Sequence, residues 1–550
     1  MKLFIQNKKY FMNLKQTNII LVFRGVKLLI FPVLGMLLLY WSMNLWGIDF
    51  SFDSSIYLLT AENFIRGEGL NIAVSSGRVL PQMHYPPLYS MLLALLISAG
   101  IDNLSAPLYM NIFLFGLNIL IFSLIIYEST SSLKMSLLMS FLLFSSNIFI
   151  YIHTIAMSEA LFIALSFLSF YFLLKHIKYG DYTTLIISSV LMGAAFLTRY
   201  AGAAFVAAGV VTIIIYNLQK PVNALKKATI MVILGILPAI IWTLGHFSLL
   251  IKYIALGGRS FKWHPVSVQI LISLADVVSK LFLPAKTPFQ IRTIFLLIVS
   301  TIVFYMLYKY RKVMFCVLKK NLKNPDTNNA VFIITILYLI MYTLLIVFSI
   351  FLVDAFISLN SRILSPLFAT LLILSVHGVH RFVTQVKGQT IINLLLIAII
   401  SGGVLLSSVR SIYYLLILHN EGMGYVSMNS RKSEIIKYLK HHSEKSVIFA
   451  NDPAPVFLLT GKRADFLPSS VFPFTQTPNP NLESDIEFMK EQLKNRNGIV
   501  ICFKDGVHKY MMGYCIKEDY LIKKINLTRI LHCKNGNIYV LKKSGSRHTQ

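Results

Sequence analysis

Acidic side chains are what this chain has least of. It has 23 Asp and Glu against 51 Lys and Arg in 550 residues, and all charged residues together make up 13%. A soluble domain carries roughly 25%. So little charge beside 56% hydrophobic residues excludes a wholly soluble chain and identifies an integral membrane protein. Cysteine is also scarce: Cys316, Cys502, Cys515 and Cys533 are too few for a disulfide framework, and the last three form an odd set in which one bridge at most can close. The absence of CxxC and HExxH spacings leaves no metal-site signature. There is no internal repeat of roughly 20–50 residues and no inverted pair of halves.

The formal charge of +28 would suit a nucleic-acid partner, but the basic residues lie in short clusters between apolar runs, as they do beside membrane spans. No nucleic acid is expected. Eleven runs of spanning length occur near 28–46, 107–127, 135–152, 157–174, 183–198, 201–216, 228–247, 291–308, 330–351, 364–380 and 390–408. The first follows Lys2, Lys8, Lys9, Lys15, Arg24 and Lys27 and lacks a small-residue cleavage site, so residues 1–27 are expected to stay cytoplasmic, with the chain anchored in the inner (plasma) membrane. Lys175/Lys178, Lys220/Lys226/Lys227, the basic group at 309–323 and Arg381/Lys387 then fall in alternate loops on that same side. The parity holds only if the fourteen apolar residues 88–101 lie along the membrane instead of crossing it.

The reading that follows is an all-α polytopic membrane domain over 28–409, with an outer loop at 47–106 holding an amphipathic helix near 54–66 and a membrane-lying helix near 88–100. From about 410 charges of both signs return, and "SEIIKYLKHH" before "SVIFAND" reads as helix then strand. Residues 410–550 are therefore expected to form a small extracytoplasmic α/β domain of about 140 residues.

The outer loop opens with four acids in twenty-two residues, Asp49, Asp53, Glu62 and Glu68, whereas the next three hundred and forty positions hold seven. Asp53 reads in two ways: as the N-cap of the helix that Gly67 ends, with Glu62 and Arg66 paired at i,i+4, or as a functional carboxylate held by that helix N-terminus. Glu159, in "MSEALF", is expensive if it faces lipid; it reads as a polar-cavity residue or as a first-turn acid behind an N-cap Ser158. Arg199 in "AFLTRYAG" and Arg362 in "NSRILSP" break the positive-inside pattern, as anion ligands or as snorkelling side chains. Arg78, His84 and Tyr85, in "GRVLPQMHYPPLYS", stand at the water–lipid boundary, where a phosphate or a lipid headgroup would meet them. Asp354 and the loop "YIALGGRSFKWHP" are further outer-side candidates.

The segments "FDSSIYLLTAENFIRGEG", "HYPPLYSMLLALLISAG", "MSEALF" and "GAAFLTRYAG", in this order and spacing, resemble the GT-C membrane glycosyltransferases, most nearly the bacterial branch related to protein O-mannosyltransferases and the lipid A aminoarabinose transferase. The resemblance covers roughly residues 25–410. It implies transfer of a sugar from a polyprenyl-phosphate carrier to a glycan, lipid or protein acceptor on the outer face, usually with inversion. It also implies roles: Asp53 and Glu159 as the two acidic positions of the site, and Arg78, His84, Tyr85, Arg199, Tyr200 and Arg362 as donor-phosphate or substrate contacts. Ser54 follows Asp53 where the mannosyltransferases have a second acid, so the protein-mannosylating subtype is not implied. No cofactor is expected beyond the lipid-linked donor, and a divalent metal has no support in the sequence. The rival reading is a polytopic transporter or flippase, for which ionisable residues near the midplane and symmetric broken helices would be expected.

Overall fold

The computed structural model describes residues 25–255, 258–259, 261–263, 268–283, 286–298, 300–301, 305, 308, 311, 329–353, 357, 359–385, 390–441, 446–472, 477–504 and 514–542. Asp354, Lys387 and the basic group at 309–323 apart from Arg311 lie outside them, as do residues 1–24. Among the described residues, seven helices are long and apolar enough to cross a membrane: Gly25–Met43, Ser105–Thr130, Glu159–Tyr179, Pro221–Gly245, Ala330–Leu352, Ser361–Arg381 and Ser401–Glu421. Leu133–Phe144 and Asn147–His153, bent by 63° at their junction, together make an eighth. Shorter apolar helices at Tyr182–Thr198, Gly202–Tyr216 and Phe289–Ile298 account for the remaining predicted runs, and Leu88–Ser98 is the segment excluded as a span. The chain is a multi-pass membrane protein.

Helix ends follow local chemistry. Gly180, at φ 74°, ends the 159–179 helix, and Asp181 caps the next one by accepting from the Thr183 and Thr184 amides. Lys178 meets Glu128 at 2.8 Å there. The opposite end of the 159–179 helix carries Glu159. Small residues let the helices close up: Ser169 and Ser188 exchange hydrogen bonds of 2.8 and 3.0 Å.

Between the bent pair and the 159–179 helix, residues 154–158 leave regular structure. Asparagines of the 105–130 helix bond carbonyls in and beside this break. Asn111 Nδ2 donates to the His153 and Ile155 carbonyls at 3.2 and 2.7 Å. Asn118 Nδ2 lies 2.9 Å from His153 Nε2 and donates to the Ala160 carbonyl at 3.0 Å. The segment also pairs with the outer loop, through Asp49 N to Thr154 O and Ala156 N to Asp49 O, both 2.9 Å. Asp49 and Glu159 are thereby tied to one frame.

Three expectations need correction. The helix N-cap in the first loop is Ser51, reciprocally bonded with Ser54 in a capping box, and Asp53 lies in the first turn of Phe52–Ile65. A hydroxyl at the cap position satisfies the amides and leaves the Asp53 carboxylate available for other partners. Ser158 precedes the 159–179 helix but makes no side-chain cap bond, because its hydroxyl is engaged elsewhere. The last long helix runs Thr390–Glu421, well past 410, because Ser407 and Ser411 bond the Ser145 carbonyl and His419 stacks on Trp41 at 4.3 Å.

The C-terminal unit is a five-stranded sheet with helices. Strands β1 (Asn71–Ala73) and β2 (Val79–Pro81) form a hairpin in the outer loop; β3 (Ile448–Ala450), β4 (Asp465–Phe466), β5 (Val471–Phe472), β6 (Thr477–Pro478), β7 (Ile499–Phe503), β8 (Leu527–Cys533) and β9 (Gly536–Leu541) follow. The sheet order is β4-β3-β7-β9-β8, with β3 parallel to β4 and β7, and β9 antiparallel to its neighbours. Cys502, Cys515 and Cys533 are not joined in a disulfide. The unit grips the outer loop: Asp465 accepts from the Ser75 hydroxyl, the Ser76 amide and the Ser76 hydroxyl at 2.6, 2.8 and 2.7 Å. Arg463 donates to Asn63 Oδ1 at 2.6 Å, and Phe466 meets Phe52 edge-on at 5.4 Å.

Replacing Asn118 by Leu strands the His153 ring nitrogen and the Ala160 carbonyl in a buried site. A loss of about 1–3 kcal/mol in stability is expected, measured as a lower unfolding midpoint in detergent; an unchanged midpoint would contradict the frame described.

Candidate active site

Four charged side chains from four separate segments meet at one end of the bundle. Arg362 lies at the start of the 361–385 helix, which Asn360 opens by accepting the Arg362 and Ile363 amides on its Oδ1, both at 3.1 Å. Its guanidinium bridges two acids, with Nη2 3.1 Å from Asp53 Oδ2 and Nε 3.0 Å from Glu159 Oε1. Arg199 ends the 182–198 helix in extended backbone, so its side chain leaves the helix axis and reaches the same acid, Nη1 to Glu159 Oε1 at 2.9 Å. Arg199 Nη1 also donates to the Ser158 hydroxyl at 3.1 Å, and that hydroxyl lies 3.0 Å from the Tyr57 hydroxyl.

One carboxylate oxygen of Glu159 thus holds two guanidinium groups, while its other oxygen, Oε2, is buried without a hydrogen-bond partner among the described residues. Glu159 is 2% exposed, so neither lipid nor solvent compensates its charge. The two arginines do, and a charge-assisted geometry with several bonds is the condition under which such burial is tolerated. Two acids and two bases cancel formally, and each guanidinium carries five N–H donors, of which the carboxylates use only some. Such a cluster can take up an anion on its unused donors without first breaking apart.

Tyr85 closes one side. Its ring packs on Tyr57 at 4.6 Å and on His84 at 4.4 Å, and burial together with the Asp53 carboxylate beside its hydroxyl drives its pKa far above the ordinary value. His84 is half-buried, with Nδ1 3.0 Å from the Tyr253 hydroxyl; desolvation, reinforced by Arg259 and Arg199, holds its pKa well below the imidazole norm. Tyr200 donates to the Met83 carbonyl at 3.1 Å and so ties the 83–85 segment to the turn that carries Arg199.

The structure therefore brings together Asp53, Glu159, Arg199, Arg362 and Tyr85, with His84 and Tyr200 in the adjoining wall. Arg78 is not among them. Its guanidinium lies 3.2 Å over the Phe488 ring and 3.9 Å from Asp485, on the helix Leu482–Asn495 of the C-terminal unit, because the β1–β2 hairpin turns it toward that unit. Two participants were not read from the sequence as site residues: Tyr57, which was not singled out, and Ser158, read only as an N-cap. Tyr57 had a signal, since it follows Asp53 at i+4 and so shares its helix face. Among the described residues no group of three or more His, Cys, Asp and Glu side chains is arranged to hold a metal ion.

No protein-family model matches the sequence, and no curated protein matches it. Solved structures do. ArnT from Cupriavidus metallidurans bound to undecaprenyl phosphate is similar at a TM-score of 0.54 and 11% identity, over 94% of this chain and 98% of that one. The apo state of the same protein gives 0.55 and 11%, over 92% and 96%. The archaeal oligosaccharyltransferase AglB from Archaeoglobus fulgidus, in complex with an inhibitory peptide and a dolichol-phosphate, gives 0.48 and 10%, over 94% and 74%. The chain has the ArnT-like GT-C fold, as its sequence resemblance implies.

Removing the central acid tests the cluster directly. Glu159→Ala leaves two buried cations without their shared counter-ion and is expected to cost about 3–5 kcal/mol, read from denaturation in mixed micelles; a cost under about 1 kcal/mol, the range of an exposed pair, would mean that the pair is solvated.

Proposed function

We propose that this protein is a glycosyltransferase that moves a sugar from a polyprenyl-phosphate carrier to an acceptor hydroxyl or amine, with inversion at the anomeric carbon. The observation that carries the proposal is Arg362 bridging Asp53 and Glu159 while Arg199 shares Glu159. Transfer from a phosphodiester requires the carrier phosphate to leave with the bonding electron pair, so negative charge grows on its oxygens as the sugar carbon becomes positive. Arg199 and Arg362, already oriented by a buried carboxylate, donate to those oxygens; preorganised donors of this kind are each worth about 10²–10³ in rate. Glu159 is the positioning residue for both guanidiniums. Asp53 and Tyr85 meet the acceptor and the sugar, and Tyr200 and His84 keep the loop that carries Tyr85 in register.

The fold supports the carrier. The neighbour with this fold binds undecaprenyl phosphate, and here the apolar Leu88–Ser98 helix lies beside the site with Leu95 and Met91 exposed, a greasy wall suited to a prenyl chain. In this reading the site and the C-terminal unit face the outside of the inner membrane and the N-terminus the cytoplasm. Glycan, lipid and protein acceptors all remain compatible with the site. A transporter would need its charged groups near the midplane; a cluster at one end of the bundle favours surface chemistry.

The test is incubation of the purified protein with a panel of undecaprenyl-phosphate sugars and an envelope lipid extract. Asp53→Asn is expected to abolish transfer while undecaprenyl phosphate still binds, and Arg199→Ala to weaken that binding by about 10-fold or more, the scale of one charge-assisted hydrogen bond. Movement of intact donor across a vesicle membrane without transfer would favour the transporter instead.

A further inference from the structure

The helix Phe52–Ile65, which carries Asp53 in its first turn, is held both by the membrane domain and by the C-terminal unit. On the membrane side Asp53 meets Arg362 at 3.1 Å, Tyr57 lies 3.0 Å from the Ser158 hydroxyl, and the Tyr57 ring packs edge-on against Tyr89 of the Leu88–Ser98 helix. These contacts fall within residues 53–57, the first half of a rod of 14 residues, about 21 Å long.

The C-terminal unit touches both ends of that rod through the segment 463–466, which contains β4. Arg463 Nη2 donates to Asn63 Oδ1 at 2.6 Å, and the Phe466 ring meets Phe52, the residue before Asp53, at 5.4 Å. Asn63 is buried and also donates to the Asn71 carbonyl at 2.8 Å, so the helix end, β1 and Arg463 form one joint. Between these two contacts, Asp465 takes the turn that follows β1: the three donors to its carboxylate come from Ser75 and Ser76. The Ser75 hydroxyl in turn accepts the Ile448 amide of β3 at 3.1 Å. Asp465 is 6% exposed, and the pairing of β4 with β3 fixes its backbone. Charge-assisted bonds of this kind are the strong ones, and misaligning them would leave a buried charge unsatisfied, so the joint is stiff.

We propose that Asp465 is a positioning residue for transfer: from the C-terminal unit, with Arg463 and Phe466, it sets where the Asp53 carboxylate stands relative to Arg362 and the acceptor. This assignment rests on the glycosyl-transfer reading above. Its physical basis is a separation of tasks. The bond between Asp53 and Arg362 joins two groups whose charge balance changes as the carrier phosphate leaves, so it cannot by itself keep a fixed distance. The donors to Asp465 take no part in the reaction, and that joint keeps its geometry throughout. A displacement of about 1 Å at a reacting group is enough to cost about 10²-fold in rate. The C-terminal unit is therefore part of the frame of the site, and transfer requires it docked on the outer loop.

The experiment uses the full-length protein in nanodiscs with the undecaprenyl-phosphate sugar that the wild type consumes, and reads kcat, undecaprenyl phosphate binding and amide hydrogen exchange. Asp465→Ala is expected to lower kcat by about 10²-fold and to speed exchange in the 52–65 helix. Affinity and stoichiometry for undecaprenyl phosphate, and exchange in the 105–130 and 159–179 helices, are expected to stay at wild-type values. Asp465→Asn, which keeps the shape and one acceptor oxygen, is expected to recover part of the lost kcat. General loss of fold would not give that split, because it lowers the binding stoichiometry and loosens all three helices together. A near-wild-type kcat in Asp465→Ala, or a kcat that falls only in step with the binding stoichiometry, overturns the assignment while leaving glycosyl transfer intact. If Asp465→Ala does not fold, Arg463→Ala and Phe466→Ala decide, since neither side chain is fully buried: a lower kcat with unchanged binding supports the assignment, and a wild-type kcat in both overturns it. Wild-type protein that neither binds undecaprenyl phosphate nor consumes any donor overturns the functional reading itself, and this inference with it.

Discussion

A guanidinium largely withdrawn from water cannot be left without anions, and Arg362 is the point where this constraint organises the molecule. Desolvating a charge costs far more than a single hydrogen bond returns, so the fold must deliver compensating carboxylates with correct geometry. It delivers them from two places far apart in sequence, Asp53 on the outer-loop helix and Glu159 at the head of a spanning helix. Arg199 completes the set from a third. The relative positions of at least three helices are therefore locked by one electrostatic requirement, and the locked cluster is also where an incoming anion finds unused donors.

Much of the remaining structure serves that geometry. The bent pair Leu133–Phe144 and Asn147–His153 ends in an irregular segment held by Asn111 on the Ile155 carbonyl, and Asn118 holds the Ala160 carbonyl at the start of the Glu159 helix. The same segment pairs with Asp49, so the outer loop is registered against it by backbone bonds and not by side-chain packing alone. From above, the C-terminal unit fixes the loop's hairpin through Asp465 and contacts Phe52 through Phe466. Tyr425 links this unit to the Asp49 strand, with its amide on Phe50 and its hydroxyl on Asp452, whose buried carboxyl is raised to about 6. The C-terminal unit is continuous with the wall of the site.

What was legible follows from the cost of charge in an oily chain. Where acids are rare and bases keep to one side, each exception stands out, and Asp53, Glu159, Arg199 and Arg362 were all exceptions of that kind. Arg78 was one too, yet its hairpin turns it onto Phe488, where a cation–π contact and the nearby Asp485 carboxylate hold it. Asp49 was counted among the loop acids but given no role. It sits ahead of the helix, outside any periodic pattern, and only the closeness of Gly424 and Ile155 distinguishes it from a loop acid. The capping role assigned to Asp53 belongs to Ser51 because a hydroxyl two residues earlier closes a capping box with Ser54.

The sequence by itself determined the apolar runs that become helices, the short helix at 88–98 and the change to a strand-containing unit near the C-terminus, because hydrophobic length and local patterning act without knowledge of neighbours. Tertiary structure alone decided which charges meet and which arginine leaves the site for another domain. Those outcomes depend on distances between segments hundreds of residues apart, and a contact of about 3 Å between charged groups is set by how helices pack, which no local pattern encodes.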